Sequence, residues 1–301
     1  MFYARRTAAP PPEQSSLTIG TLPRQHVALS CGTVSYLRHG RGPSLLLVHG
    51  IPTSARLWEP LLGALGEHFD CIVPDVLGLG RSRPAPGADL ASPGQADMLA
   101  ELLDSLGIDE TLLVLHDQGG AHGQQLLVRH GSRVRAVVFC DVVCFDNWLV
   151  PVIDVLSQLT RHPGVVRALG RRRVLQLPMR TVYPLPQTVV RGPLPRALVD
   201  DWFHPLDTGD GLDDWCRYVR SQDPRWTIEA VPTLQAWTKP AHVIWAASDR
   251  FLPPSWAVRL AHTIPGADDR PTLLADAGHF FQPEVPVTAS AALLDFLLRF
   301  V

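Results

Sequence analysis

Short runs of consecutive apolar residues recur along the first half of the chain, each followed by small or polar residues and then by apolar positions at helical spacing. That rhythm predicts buried strands alternating with helices. Ser44–Val48 and Asp70–Pro74 read as strands, with Leu57, Leu61, Leu62 and Leu65 forming one helical face between them. Ser92 and Pro93 predict the start of a helix reaching about Leu106, with Ser92 as N-cap and Pro93 in the first turn. Leu112, Leu113, Val114 and Leu115 predict a strand, residues 121–130 a helix and residues 134–140 a further strand. Upstream, residues 26–30 and 33–38 flank Cys31 and Gly32 and read as a hairpin.

The alternation stops between about Val143 and Thr238, a stretch rich in Pro, Arg and Trp with helical pieces at 150–159 and 212–220. It resumes with a strand at 242–246, a helix at Ser255–Thr263, a strand at 271–274 and a last helix at 287–300. The expected class is α/β: a mostly parallel twisted sheet flanked by helices. Residues 25–142 and 239–301 form the core. Residues 143–238 are expected to be an inserted helical cap over the carboxyl ends of the strands, where open α/β sheets bind ligands. Residues 1–24 are Pro-rich and without period, and are expected to be a flexible arm.

Composition narrows the function classes. The 301 residues are 46% hydrophobic and 19% charged, and the formal net charge is -2. No basic stripe argues for nucleic acid, and no apolar run is long enough to span a membrane. Five scattered cysteines, Cys31, Cys71, Cys140, Cys144 and Cys216, suggest free thiols in a reducing compartment. Arg5 and Arg6 are followed by Pro-rich sequence rather than an apolar segment, so the expected location is the cytoplasm. Cys140 and Cys144 lack a second ligand pair at zinc spacing, and no metal or cofactor is expected.

The chemistry centres on His116-Asp117-Gln118-Gly119-Gly120. A strand turning sharply into a helix through glycines presents one side chain in a strained backbone pose at a helix N-terminus, where negative charge is favoured. Asp117 occupies that position. A carboxylate cannot usefully open an amide, but it can attack a saturated carbon and form an alkyl ester. His279, on a loop after the last strand, is the expected base; it deprotonates the water that attacks the ester. A carboxylate must orient it. Asp249 is the preferred candidate and Asp141 the alternative, since each follows a strand. The N–H groups of Ile51 and Gln118 are expected to form the oxyanion hole, and Pro52 is a candidate cis residue in that turn. Leaving-group help decides the reaction: an epoxide oxygen needs a proton donor, for which Tyr218 is the best placed tyrosine, and a halide needs N–H donors such as Trp. Trp148, His162 and Tyr183 are further candidates for substrate contact.

HGIPTS, DVLGLGRS, HDQGG, SDRFLPP and AGHFFQPE occur in this order, and together they resemble the α/β-hydrolase superfamily from about residue 30 to the end, the cap excepted. HGIP with HDxGG resembles the branch that holds epoxide hydrolases, haloalkane dehalogenases and fluoroacetate dehalogenases. The resemblance implies an α/β-hydrolase fold, a nucleophile elbow at Asp117, and a small apolar organic substrate with water. The departures are specific. Haloalkane dehalogenases place a halide-binding Trp after the nucleophile and many use Asn after the HG pair, where this chain has Gln118 and Ile51. Fluoroacetate dehalogenases use Arg where this chain has Gln118 and Ala121. Epoxide hydrolases carry two cap tyrosines; Tyr218 matches the second, and His162 lies near the place of the first. The branch takes its acid from the position of Asp249 in some members and of Asp141 in others. The expected function is epoxide hydrolysis to a diol. The alternatives are a dehalogenase with an atypical halide site and a non-hydrolytic cyclase, lyase or binding protein. The oligomeric state is not legible.

Overall fold

The computed structural model describes residues 17–301 except 149–150, 163, 167 and 169–186. Its centre is a nine-stranded sheet in the order β1-β2-β4-β3-β6-β7-β8-β9, with β5 paired to β2. β1 (Gln25–Leu29) and β2 (Gly32–Gly40) form the antiparallel hairpin, and β2 also runs antiparallel to β4 (Asp70–Pro74). From β4 onward the pairing is parallel through β3 (Ser44–Val48), β6 (Thr111–Asp117), β7 (Val134–Val142), β8 (Ala241–Ala246) and β9 (Thr272–Leu274). The short β5 is Arg83–Pro84.

The continuous apolar runs have the physical reason expected of them. Every residue of β6 and of β8 is buried, because helices cover both faces of the sheet. One apolar cluster holds Leu46, Leu113, Phe139 and Trp245; the other holds Leu45, Leu112, Val138 and Ile244. Alternate residues of one strand thus feed opposite layers. Helices α1 (Glu59–Leu65), α2 (Ser92–Ser105) and α3 (Gly119–His130) follow β3, β4 and β6. Ser92 is the first helical residue rather than the N-cap, which is Ala91, so its hydroxyl is spent elsewhere.

Between β7 and β8 the described chain is helical: α4 (Pro151–Thr160), α5 (Arg196–Trp202), α6 (Gly209–Ser221), α7 (Arg225–Glu229) and α8 (Val231–Gln235). The core resumes with α9 (Ser255–Thr263), α10 (Phe281–Glu284) and α11 (Pro286–Leu297). No helix among the described residues is long and apolar enough to cross a membrane.

Residues 1–16 of the expected arm lie outside the described residues, but 17–24 are held to the core rather than loose. Glu59 accepts from Gly20 N and Leu22 N at 2.7 and 2.8 Å. The Arg24 guanidinium bridges Asp75 in the core and Asp201 on α5, the latter at 2.7 Å. Asp201 also accepts from Ser54 Oγ at 2.6 Å and Arg81 Nη2 at 3.3 Å, so one carboxylate ties α5 to three core segments.

Strand order places the site. β3 leads out to β4 on one side while β6, β7, β8 and β9 continue on the other, and the carboxyl ends of β3 and β6 are neighbours, with Val48 opposite Leu115. The turns leaving those two strands therefore face each other at the point where the sheet changes direction.

Candidate active site

Asp117 ends β6 with φ +52°, in the left-handed region that a residue with a side chain avoids unless its surroundings enforce it. The surroundings do so by close approach. A Cβ added at Gly119 would stand 2.6 Å from the carbonyl oxygens of Val48 and His49, and one added at Gly50 would stand 2.1 Å from Asp117 Oδ1. The two turns are thus pressed together, and only glycine fits at either contact. Ile51–Pro52 is a cis peptide.

That approach gives Asp117 its partners. Ile51 N donates to Oδ1 at 2.8 Å, and Gln118 N also donates to the carboxylate. His49, fully buried, sets the turn: it accepts Val76 N on Nε2 at 3.2 Å, which leaves Nδ1 to donate to the Gly50 carbonyl at 3.0 Å. The second oxygen, Oδ2, lies 3.3 Å from His279 Nε2. His279 Nδ1 lies 2.8 Å from Asp249 Oδ2, and Asp249 Oδ1 accepts from Phe251 N and Leu252 N at 2.7 and 3.0 Å. The three side chains, far apart in sequence, form one buried line.

The loop carrying His279 is pinned at several points. The imidazole of His116, next to Asp117, donates from Nε2 to the His279 carbonyl at 2.9 Å. Glu284 accepts from Gly278 N at 2.8 Å, from Arg191 N at 2.6 Å and from Val190 N, which couples the segment before α5 to this loop.

Electrostatics follow from burial and pairing. Burial alone would push His279 down, but the carboxylates of Asp249 and Asp117 overcome it and hold its pKa well above the usual imidazole value. The same pairing holds Asp117 and Asp249 below the usual carboxylate value against a desolvation that would raise them. Asp141, with φ +43°, is fully buried and accepts Ala246 N on both oxygens at 3.0 and 3.2 Å. Burial and the neighbouring Asp249 charge push it well above the usual carboxylate value, which favours a protonated Asp141 hydrogen-bonded to Asp249. Of the two candidate acids, Asp249 therefore pairs directly with His279, and Asp141 hydrogen-bonds to Asp249. Asp141, Asp249 and His279 offer atoms within 4.8 Å of one another, which is a metal-like spacing. His279 Nδ1 and Asp249 Oδ2 already satisfy each other, and a protonated Asp141 is a poor ligand.

The remaining candidates separate. Tyr218, on α6, is fully buried; its hydroxyl lies 3.0 Å from His122 Nε2, and Asp117 is close enough to push its pKa up beyond what burial does. Gln118 turns its side chain to Gln222, donating from Nε2 to Oε1 at 2.7 Å. Its Oε1 is buried without a partner among the described residues. Trp148 is buried, and its indole N–H has no partner among the described residues; the same holds for Trp202, whose ring packs 4.9 Å from Phe280 beside His279. His162 is exposed just beyond α4 and does not join the buried cluster, because the helix ends at Thr160 and leaves it facing solvent. Tyr183 lies outside the described residues. The sequence reading gave His49, His116 and His122 no role, yet all three are buried in the network around Asp117. The available signal was position: His49 and His116 each adjoin a site turn, and His122 lies in the helix that the elbow begins.

Comparison with known proteins agrees with this architecture. Residues 43–286 match the model of the family described as alpha/beta hydrolase fold. The chain is 29% identical to haloalkane dehalogenase 2 of Mycobacterium tuberculosis over 280 residues, covering 88% of this chain and 92% of that protein. Among solved structures, an α/β-hydrolase fold protein from Burkholderia ambifaria superposes with a TM-score of 0.78 at 22% identity, covering 94% of this chain and all (100%) of the other. The epoxide hydrolase CorEH superposes with a TM-score of 0.76 at 16% identity, covering 93% and 100%. By sequence and by fold, the chain belongs to the α/β-hydrolase family, as a hydrolase whose relatives include haloalkane dehalogenases.

Proposed function

We propose that this hydrolase opens an epoxide to a diol through an alkyl ester on Asp117. The observation that carries the reading is the division of labour between the two carboxylate oxygens: Oδ1 is held by Ile51 N, while Oδ2 faces His279 and is available to attack. In this reading residues 143–238 act as the cap that encloses a small apolar organic substrate. Oδ2 attacks a ring carbon, the C–O bond breaks with its electron pair on oxygen, and Tyr218 gives that oxygen its proton. Alkylation removes one of the two carboxylates that keep His279 charged, so the imidazole passes its proton to the tyrosinate. Neutral His279 then takes a proton from water, the hydroxide adds to Cγ of the ester, and the Ile51 and Gln118 N–H groups stabilise the oxyanion. Collapse expels the second diol oxygen, which takes the proton of the new hydroxyl and returns Asp117 as a carboxylate.

A second reading, dehalogenation, is favoured by the indole N–H groups of Trp148 and Trp202, which have no partner among the described residues and are the kind of donor a halide needs. It draws support also from the dehalogenase named among the relatives. One experiment tests both. A His279→Gln variant exposed to panels of epoxides and alkyl halides should accumulate a covalent adduct on the peptide containing Asp117. Diol formation by the wild type then supports the first reading and halide release the second; no adduct from either panel would refute covalent hydrolysis.

A further inference from the structure

We infer that His122, backed by Ser92, is a positioning residue that aims the Tyr218 proton at the leaving oxygen and stabilises the tyrosinate left behind. The inference rests on the epoxide reading above and extends it to two residues outside the nucleophile–base–acid line.

Ser92, His122 and Tyr218 are all fully buried and come from α2, α3 and α6. Ser92 Oγ lies 3.1 Å from His122 Nδ1, and His122 Nε2 lies 3.0 Å from Tyr218 Oη. Burial lowers the His122 pKa to about 3, so the ring is neutral and carries one N–H. Two arrangements of hydrogens are possible. In one, Tyr218 donates to Nε2 and Nδ1 donates to Ser92; the serine hydroxyl hydrogen is then stranded between two core helices, with no acceptor among the described residues. In the other, Ser92 donates to Nδ1 and Nε2–H donates to Tyr218, which leaves the phenol hydrogen to be given away. An unmade buried hydrogen bond costs about 1–3 kcal/mol. Only the second arrangement puts the unspent hydrogen near the nucleophile, where a substrate oxygen can accept it.

The same arrangement serves the step itself. As the phenol loses its proton, the charge that forms on Tyr218 Oη already has an N–H directed at it. Without that donor, a bare tyrosinate would form in a buried site with nothing to offset its charge. Phenol-to-oxygen transfer moves one proton and consumes no other reactant, and His122 keeps the same tautomer throughout.

The test uses leaving groups of different need. Ester formation on Asp117 is followed by rapid quench and mass spectrometry in the His279→Gln background, with an epoxide and with an alkyl bromide whose departing bromide needs no proton. His122→Phe should slow the epoxide reaction about a hundredfold, the scale of general acid catalysis, and leave the bromide reaction within about threefold. His122→Gln, which can present an N–H near the place of Nε2, should recover most of the loss. Ser92→Ala should fall between them, and it provides the test if the Phe variant does not fold. Equal slowing of both substrates would mean that His122 only holds α3 to α6, and no slowing of either would remove it from the mechanism. Either result overturns the inference. Failure of the function itself looks different: no ester forms from the epoxide with the natural His122 in place.

Discussion

Replacing Asp249 by Asn tests the acid assignment, because the surroundings dictate what the amide must do. Phe251 N and Leu252 N both donate to Asp249 Oδ1, so an Asn here places its carbonyl oxygen on those N–H groups and turns its NH2 toward His279. The ring must then accept on Nδ1, and the proton moves to Nε2, the nitrogen that has to deprotonate water. The charge is lost as well. A unit charge about 4 Å away at an effective dielectric constant of about 20 is worth ~4 kcal/mol. That is about three pKa units at ~1.36 kcal/mol each. The hydrolytic step should slow by about 10³- to 10⁴-fold, while attack by Asp117, which needs no base, changes by about tenfold or less. Alkylated Asp117 should accumulate in single-turnover experiments read by quench and mass spectrometry. The companion is Asp141→Asn. With its pKa raised, Asp141 favours its protonated form, so an amide of the same shape can still accept from Ala246 N and donate to Asp249, and activity should stay within about tenfold. If Asp141→Asn stalls the ester while Asp249→Asn does not, the roles assigned here are reversed; if Asp249→Asn slows both steps equally, the reasoning from tautomer and charge is wrong.

Other predictions concern charge, fit and docking. Asp117→Asn removes a partner that raises the His279 pKa, so the imidazole should titrate at lower pH than in the wild type by NMR; an unchanged value would contradict the coupling. For the wild type the sign is fixed: a folded pKa above the unfolded one contributes stability at pH below about 6.5, and that contribution is lost as pH rises through the folded value. Gly50→Ala places a Cβ 2.1 Å from Asp117 Oδ1 and 2.4 Å from Gln118 N, so the oxyanion hole must open and ester hydrolysis should fall about 10²- to 10³-fold. Wild-type turnover in that variant would show that the contact is not needed. Arg24→Ala leaves Asp75 and Asp201 with one fewer counterion in a mostly buried cluster, and urea denaturation should register a loss of about 3 kcal/mol. A loss below about 0.5 kcal/mol would place this bridge with weak surface pairs.

The sheet was legible because its strands are buried on both faces. Runs such as Ser44–Val48 and Asp70–Pro74 have no polar alternation to blur their ends, and they match β3 and β4 residue for residue. The approach of Asp117 to His279 was legible because the elbow glycines and the strand-end loop constrain the two residues locally. The acid was not decidable from the chain alone. Asp141 and Asp249 both follow strands, and only their mutual approach distinguishes a protonated member from an ionised one. Ser92 misled for a related reason. A Ser before Pro at a helix start reads as a cap, yet its hydroxyl is drawn to His122 across the α2–α3 contact, and tertiary context outweighed local preference. His122 carried no mark beyond its place in the elbow helix, since its partners come from helices 30 and 96 residues away in sequence.

The central claim is that a carbon–oxygen bond forms to Asp117 and is then cleaved on the acyl side. A single turnover in water labelled with oxygen-18, with enzyme in excess over substrate, tests it most directly. The product should carry an unlabelled oxygen taken from Asp117, and the peptide containing Asp117 should gain the label from the attacking water. Label in the product of the first turnover, with Asp117 unlabelled, would mean that water attacks the substrate itself and that no ester forms.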